Sequence, residues 1–188
     1  MITIRKILVP TDFSNVSVPA IGYAISLAKD HNAEVLVLHA VSIKEVRENF
    51  PDRYIAPGAG MAVDGPGIAG PRLDLEGALE TKKQLLWSFL GQKIGAQILN
   101  TVKVTPLARL SGVVEGIVAT AKEEQCDLIV MTSRGPSLVR SLLRDSHTES
   151  VVRKAPCPVL SIQPSAEVRT EKNERLSVRL MEQTGSAF

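Results

Sequence analysis

The sequence predicts an α/β protein built on a doubly wound parallel sheet. Five short apolar runs alternate with segments whose apolar residues recur at helical spacing, and this alternation is typical of successive βαβ units. Of the 188 residues, 44% are hydrophobic but only 4% are aromatic. The core is therefore aliphatic, as expected for a parallel sheet that is covered by helices on both faces.

The first two strands and the helix between them have the clearest patterns. Residues 6–10 form a short apolar run that ends at a proline, and residues 34–41 form a longer one. Both are typical of buried strands. The intervening helix has small apolar residues on one face, Ser14 or Ser17 is positioned to cap its start, and Asn32 ends it.

The segment 42–74 differs from the rest of the chain. It contains Pro57-Gly-Ala-Gly60 and a second Gly/Pro cluster over residues 65–71, which do not hold a regular element. We expect a long surface loop, and such loops serve as lids or partner contacts or are merely irregular.

A helix and a weaker strand follow this loop. The helix begins at about Leu75, and its inner face carries Leu79, Leu86, Phe89 and Leu90. Trp87 lies near that face, and we expect it to be a packing residue. Residues 98–104 are the third strand, and their weak alternation places this strand near a sheet edge.

The last third of the predicted domain repeats the strand and helix pattern. Ser111 opens a helix whose inward residues are Val114, Ile117, Val118 and Ala121. Residues 127–131 form the fourth strand, a helix covers about 146–153, and residues 158–162 form the fifth strand. We expect one domain over residues 1–164, followed by a charged extension, 165–188, that is either a short helix or a solvated tail.

Charge and cysteine usage exclude several classes of protein. The net charge is +2, from 22 basic and 20 acidic residues, which does not favour nucleic acid or an anionic membrane as a partner. No apolar run reaches transmembrane length, and no signal peptide is visible. Cys126 and Cys157 form no CxxC pair or metal-ligand cluster, so we expect reduced thiols in a cytoplasmic protein.

Polar residues follow three of the predicted strands at their carboxyl ends, where open α/β sheets bind ligands. Asp12 follows the first strand and can accept hydrogen bonds from a ribose hydroxyl or a base amine. Val41 ends the second strand and offers an apolar wall and backbone groups to a base. His39, just before it, is either a packed histidine or part of the mouth of the site. Ser146, at a helix start, either binds phosphate or caps the helix.

These features together resemble the universal stress protein family. The resemblance spans residues 4–164 and is carried by Lys-Ile-Leu-Val-Pro-Thr-Asp-Phe-Ser at 6–14, Cys-Asp-Leu-Ile-Val-Met at 126–131 and Val-Val-Arg-Lys-Ala-Pro-Cys-Pro-Val-Leu at 151–160. It implies a five-stranded, Rossmann-like fold of the adenine-nucleotide alpha-hydrolase type and a stress-response or regulatory role. It also implies a homodimer that pairs the fifth strands at 159–162, a two-fold symmetric contact.

The resemblance also implies a set of ATP-binding residues. Those expected near the nucleoside are Pro10, Thr11, Asp12 and Val41. Those expected near the phosphates are Thr132, Arg134, Gly135, Ser137, Asp145, Ser146 and His147. His147 is otherwise a helix-surface histidine.

Two residues of this set depart from the family's ATP-binding pattern, which has glycine at both places. Thr132 is β-branched, which restricts φ and blocks close approach of a phosphate. The carboxylate of Asp145 would repel phosphates by about 1 kcal/mol or more, although a bridging Mg²⁺ would reverse that sign. Gly135 and Ser146 match the pattern.

Three functions therefore stay open. The chain binds ATP, with slow hydrolysis or none, or it binds a smaller ligand such as AMP or a cyclic nucleotide. Alternatively it has lost the nucleotide and acts as a dimeric interaction protein through loop 42–74 or tail 165–188. We expect no other enzymatic activity, because the sequence has no GxSxG or GxxxxGK[ST] motif.

Overall fold

The computed structural model describes residues 3–49, 75–133 and 147–164. Within these ranges the chain alternates strands and helices. In chain order the elements are β1 (Lys6–Pro10), a 3₁₀ turn (Asn15–Ser17), α1 (Val18–His31), β2 (Glu34–Val41), α2 (Ile43–Asn49), α3 (Leu75–Lys93), α4 (Ala96–Leu99), β3 (Lys103–Leu110), α5 (Val113–Glu123), β4 (Leu128–Thr132), α6 (His147–Lys154) and β5 (Val159–Ile162).

The five strands form one parallel sheet in the order β3-β2-β1-β4-β5. The chain moves outward from β1 to β2 and β3, and then returns to the other side of β1 for β4 and β5. The direction of winding therefore reverses between β1 and β4, and in open α/β sheets ligands bind at the carboxyl ends of the strands at such a reversal. The predicted doubly wound parallel sheet is confirmed.

Two aliphatic cores cover the two faces of this sheet. Ile7 and Val9 of β1 pack with α1 and α3 on one face, whereas Leu8 packs with α5 and α6 on the other. Alternate residues of a strand point to opposite faces, so a run that is apolar at every position is buried on both sides. This explains why β1 and β2 could be recognised as continuous apolar runs.

The third strand was predicted in the wrong place. Residues 96–99 form the short helix α4, and β3 runs instead over Lys103–Leu110. Leu99 still packs against the core from that helix, whereas Ile98 is half exposed. The expectation that this strand lies at an edge is confirmed, because β3 pairs with β2 alone within the sheet. An edge position also explains how β3 tolerates Pro106, which has no N–H to donate.

Three smaller expectations also need correction. The predicted loop 42–74 begins with a helix, α2, and the rest of it, 50–74, lies outside the described residues. Trp87 is 47% exposed and does not pack inward. Ser14 and Ser17 occupy N-cap positions, but neither makes a capping bond with its side chain. The Ser14 hydroxyl donates to Asp12, and the Ser17 hydroxyl donates to the Ser14 carbonyl at 2.8 Å. Asn32 does end α1, in the left-handed conformation.

The two cysteines lie on the face of the sheet that is covered by α5 and α6. Cys126 is buried and Cys157 is partly buried, and both are free thiols. Burial raises the pKa of the Cys126 thiol to about 12 and raises that of Cys157 as well. Both side chains therefore act as packing groups rather than as nucleophiles at neutral pH.

Candidate functional site

The turn that follows β1 lies at the carboxyl end of that strand, where the winding of the sheet reverses. Thr11 is buried, and its backbone N–H donates to the Leu38 carbonyl at 2.8 Å. Its hydroxyl lies 2.7 Å from the Ser17 hydroxyl and accepts the Phe13 N–H at 3.1 Å. Backbone and side-chain hydrogen bonds together therefore fix the position from which Asp12 projects.

Asp12 presents an exposed side chain at this point. Its Oδ1 accepts the Ser14 N–H at 3.1 Å and also the Ser14 hydroxyl. An Asp that accepts the N–H two residues ahead forms an Asx turn, which sets the direction of the carboxylate. The structure thus places an oriented carboxylate at the carboxyl end of β1, where the winding of the sheet reverses.

Phe13 follows in an uncommon conformation. Its φ of 59° lies in the left-handed region that non-glycine residues rarely adopt. Its ring is held by aromatic contacts, 4.4 Å from the ring centre of His39 and 5.6 Å from that of Phe89. These contacts offset the backbone strain, and the residue reverses the chain so that α1 can return over the sheet.

The other predicted residues at this edge come from β2, β4 and α6. Val41 is fully buried, and its carbonyl accepts the Ser111 N–H at 3.1 Å. Thr132 ends β4, and its carbonyl lies 3.5 Å from the Thr148 hydroxyl. His147 is exposed at the first position of α6, as expected for a helix-surface histidine. Pro10, Asp12, Val41 and Thr132 are thereby brought to one edge of the sheet.

Several predicted phosphate residues cannot be placed. They lie outside the described residues: Arg134, Gly135, Ser137, Asp145 and Ser146. Their roles therefore stay predictions from the sequence.

Sequence reasoning missed a polar cluster behind the Thr11–Phe13 turn. It consists of His39, Glu45 and Lys82, from β2, α2 and α3 respectively. Of the alternatives that the sequence leaves open for His39, its 7% exposure favours the packed histidine. Its partners could not be recognised, because Glu45 fell in the predicted loop and Lys82 in a helix whose inner face was assumed to be apolar.

A cleft of about 560 Å³ lies at the opposite edge of the sheet and is a poorer candidate. Arg5, Lys29 and Lys103 border it, but Lys103 is paired with Glu34 at 3.2 Å. The carboxyl end of α1 also lies there, and the negative end of a helix dipole disfavours phosphate. The carboxyl-terminal edge therefore remains the better ligand site.

Comparison with known proteins decides the family. A model of the universal stress protein family matches residues 3–163. This chain belongs to the universal stress protein family. It is 30% identical over 161 residues to universal stress protein MJ0531 of Methanocaldococcus jannaschii, which covers 84% of this chain and 81% of that protein. No helix in the described ranges is both long and apolar enough to cross a membrane.

Solved structures of this family share the fold. The structure of MJ0577, determined to assign that protein's biochemical function, superposes with a TM-score of 0.59 at 24% identity, covering 87% of this chain and 99% of that one. A universal stress protein in complex with cAMP superposes with a TM-score of 0.58 at 18% identity, with the same coverage. This universal stress protein therefore has the same fold as these two structures.

Proposed function

We propose that this protein binds an adenine nucleotide at the carboxyl ends of β1 and β4 and serves as a regulatory protein of the stress response. The observation that carries the proposal is the oriented, exposed carboxylate of Asp12 beside the point where the winding of the sheet reverses. That point is where open α/β sheets bind nucleotides. The related structure in complex with cAMP supports an adenine ligand.

The described residues fit the nucleoside half of such a ligand. The Asp12 carboxylate would accept hydrogen bonds from ribose hydroxyls or from the base, because an ionised carboxylate only accepts. Pro10 and Thr11 form the rigid strand end beneath it. Val41 would border the base through its backbone, since its side chain is buried. We assign these residues a role in binding the nucleotide and none in breaking a bond of it.

The residues expected near the phosphates determine whether ATP or a nucleotide with fewer phosphates suits the site better. Thr132 ends β4 where a glycine would leave more room, and Asp145 adds a negative charge in the sequence nearby. We infer that a ligand with fewer phosphates, AMP or a cyclic nucleotide, suits the site better than ATP unless Mg²⁺ bridges Asp145 and the phosphates.

A second candidate function is a dimeric interaction protein without a nucleotide. It is favoured by the open edge of β5, where Leu160 is 37% exposed and each residue pairs on the β4 side within the described sheet. An open strand edge invites pairing with another strand, and β5 of a second copy is the proposed partner.

We also expect a cytoplasmic protein, since both cysteines are free thiols.

The substitution Asp12→Ala tests the nucleoside assignment. Removing a charged hydrogen-bond acceptor costs about 1.5–3 kcal/mol, so AMP affinity should fall about 10- to 100-fold by isothermal titration calorimetry. Asp30→Ala is the matched control, because Asp30 is exposed near the end of α1, and it should leave the affinity unchanged. If Asp12→Ala binds AMP as tightly as Asp30→Ala does, the assignment of Asp12 is wrong.

A further inference from the structure

A buried polar cluster interrupts the otherwise apolar face of the sheet that α1 and α3 cover. Val35 and Val37 of β2 belong to the aliphatic core on this face, and His39 continues the same row because alternate strand residues share a face. Lys82 of α3 is 8% exposed and reaches the same place. Burying charged groups is costly unless they are paired, so the cluster needs an explanation beyond packing.

Both ring nitrogens of His39 face oxygen acceptors. Nδ1 lies 2.9 Å from the Thr11 carbonyl oxygen, which can only accept, so Nδ1 carries a proton. Nε2 lies 3.1 Å from Oε1 of Glu45, and the Lys82 ammonium lies 2.6 Å from that same oxygen. The Thr11 carbonyl and the Glu45 carboxylate therefore hold the two nitrogens of the His39 ring.

Glu45 is ionised at neutral pH. Burial raises its pKa, but hydrogen bonds from Lys82 and His39 together with charge attraction outweigh burial, and its pKa is lowered overall from 4.5. Among the described residues, the side chains that contact this carboxylate include His39 from β2 and Lys82 from α3.

The hydrogen bond to Thr11 connects this cluster to the proposed nucleotide site. Thr11 immediately precedes Asp12, and the ring of His39 also packs against the ring of Phe13, the residue that follows Asp12. His39 therefore contacts the chain on both sides of Asp12. A movement of the imidazole ring would change the direction in which the Asp12 carboxylate points.

We propose that His39, held by Glu45 and Lys82, is a positioning residue that fixes the Thr11–Phe13 turn in its nucleotide-binding conformation. This inference rests on the proposed function of the site, and it adds a group that does not itself touch the ligand. The bound turn then depends on three elements, β2, α2 and α3, rather than on the β1 strand end alone.

Two substitutions at His39 separate its two hydrogen bonds. The amide nitrogen of Asn lies as many bonds from Cα as Nδ1 does, so His39→Asn can keep the donor to Thr11. The amide nitrogen of Gln corresponds to Nε2, so His39→Gln keeps the contact with Glu45 and loses that to Thr11. His31→Asn and His31→Gln are matched controls, because His31 is exposed at the end of α1.

The expected affinities for AMP, measured by calorimetry, follow from that separation. His39→Gln should weaken binding about tenfold, which corresponds to the loss of one hydrogen bond, while His39→Asn should stay within about threefold of wild type. Both His31 variants should bind like wild type. Equal losses in the two His39 variants, or no loss in His39→Gln, would overturn the positioning role.

A second measurement needs no ligand. ¹⁵N NMR of the wild-type imidazole should show a proton on Nδ1 of His39, and the Asp12 and Phe13 amide signals should shift more in His39→Gln than in His39→Asn. A ring without a proton on Nδ1 would overturn the inference, and this readout decides it even if His39→Gln does not fold. If wild type binds no adenine nucleotide, the proposed function fails while the NMR result still decides whether His39 holds the turn.

Discussion

The ion pair between Lys82 and Glu45 gives a prediction about stability. The Lys82 ammonium lies 2.6 Å from the Glu45 carboxylate, and their side chains are 10% and 27% exposed. Breaking a fully buried pair by removing one partner costs about 3–5 kcal/mol. Because Glu45 keeps some contact with water, we expect Lys82→Met to lower the free energy of unfolding by about 2–3 kcal/mol. Methionine retains the length of the side chain, so the loss reports the charge rather than packing.

Urea denaturation at neutral pH measures this loss, and Lys83→Met is the matched control. Lys83 lies on the same helix and pairs with Glu80 at 3.2 Å, but it is 40% exposed, so its replacement should cost less than about 0.5 kcal/mol. In a double-mutant cycle with Glu45→Gln, the Lys82–Glu45 coupling should be about 1–2 kcal/mol. If Lys82→Met is no less stable than Lys83→Met, the pair does not stabilise the fold.

The same pair predicts a pH dependence. The pKa of Glu45 is lowered in the folded protein, so its contribution to stability is complete above pH 4.5, the ordinary value, and is lost as the pH falls through the lowered pKa. The difference in unfolding free energy between wild type and Lys82→Met should therefore shrink when urea denaturation is repeated in acid. A difference that stays constant or grows below pH 4.5 would contradict the assignment of an ionised Glu45.

Two further substitutions test other parts of the account. Asp145→Gly should strengthen ATP binding about fivefold, measured by calorimetry, if the carboxylate repels phosphate by about 1 kcal/mol. If Asp145 instead binds a bridging Mg²⁺, the same substitution should weaken ATP binding when Mg²⁺ is present. Asn32 ends α1 in the left-handed conformation, at φ 52° and ψ 43°. Asn32→Ala should therefore lower the unfolding free energy by about 1 kcal/mol, whereas Asn32→Gly should not. Equal urea midpoints for the two variants would contradict this.

The strands that the sequence predicts well are those buried on both faces. In β1 and β2 nearly every residue must be apolar because helices cover both sides, and the pattern is therefore continuous. The edge strand β3 is half-buried along most of its length and contains Pro106. Its composition resembles that of a loop, while the apolar Ile98 and Leu99 upstream resemble a strand. Only the pairing with β2 distinguishes the two.

The helix α2 could not be predicted for a related reason. Among the residues of α2 whose burial is described, Val46 is the one that is buried. A single buried apolar residue does not produce a recognisable helical periodicity in the sequence. Its position depends instead on Glu45, which meets His39 and Lys82 from distant parts of the chain. Such a contact appears only after the fold is assembled.

The candidate site was partly predictable because the fold determines where it lies. Asp12, Val41 and Thr132 come together at one edge simply because parallel strands end on the same side of a sheet. The role of Thr11 was harder to foresee, since its buried hydroxyl and carbonyl orient its neighbour rather than the ligand. Residues that act through other residues leave no local signal in a single sequence.

Nucleotide binding itself is tested by calorimetric titration of the purified, nucleotide-stripped protein with AMP, cAMP and ATP in the presence of Mg²⁺, with GTP as a control. We expect micromolar binding of at least one adenine nucleotide and markedly weaker binding of GTP. Absence of binding by every adenine nucleotide up to millimolar concentration would contradict the claim and would favour the dimeric interaction protein.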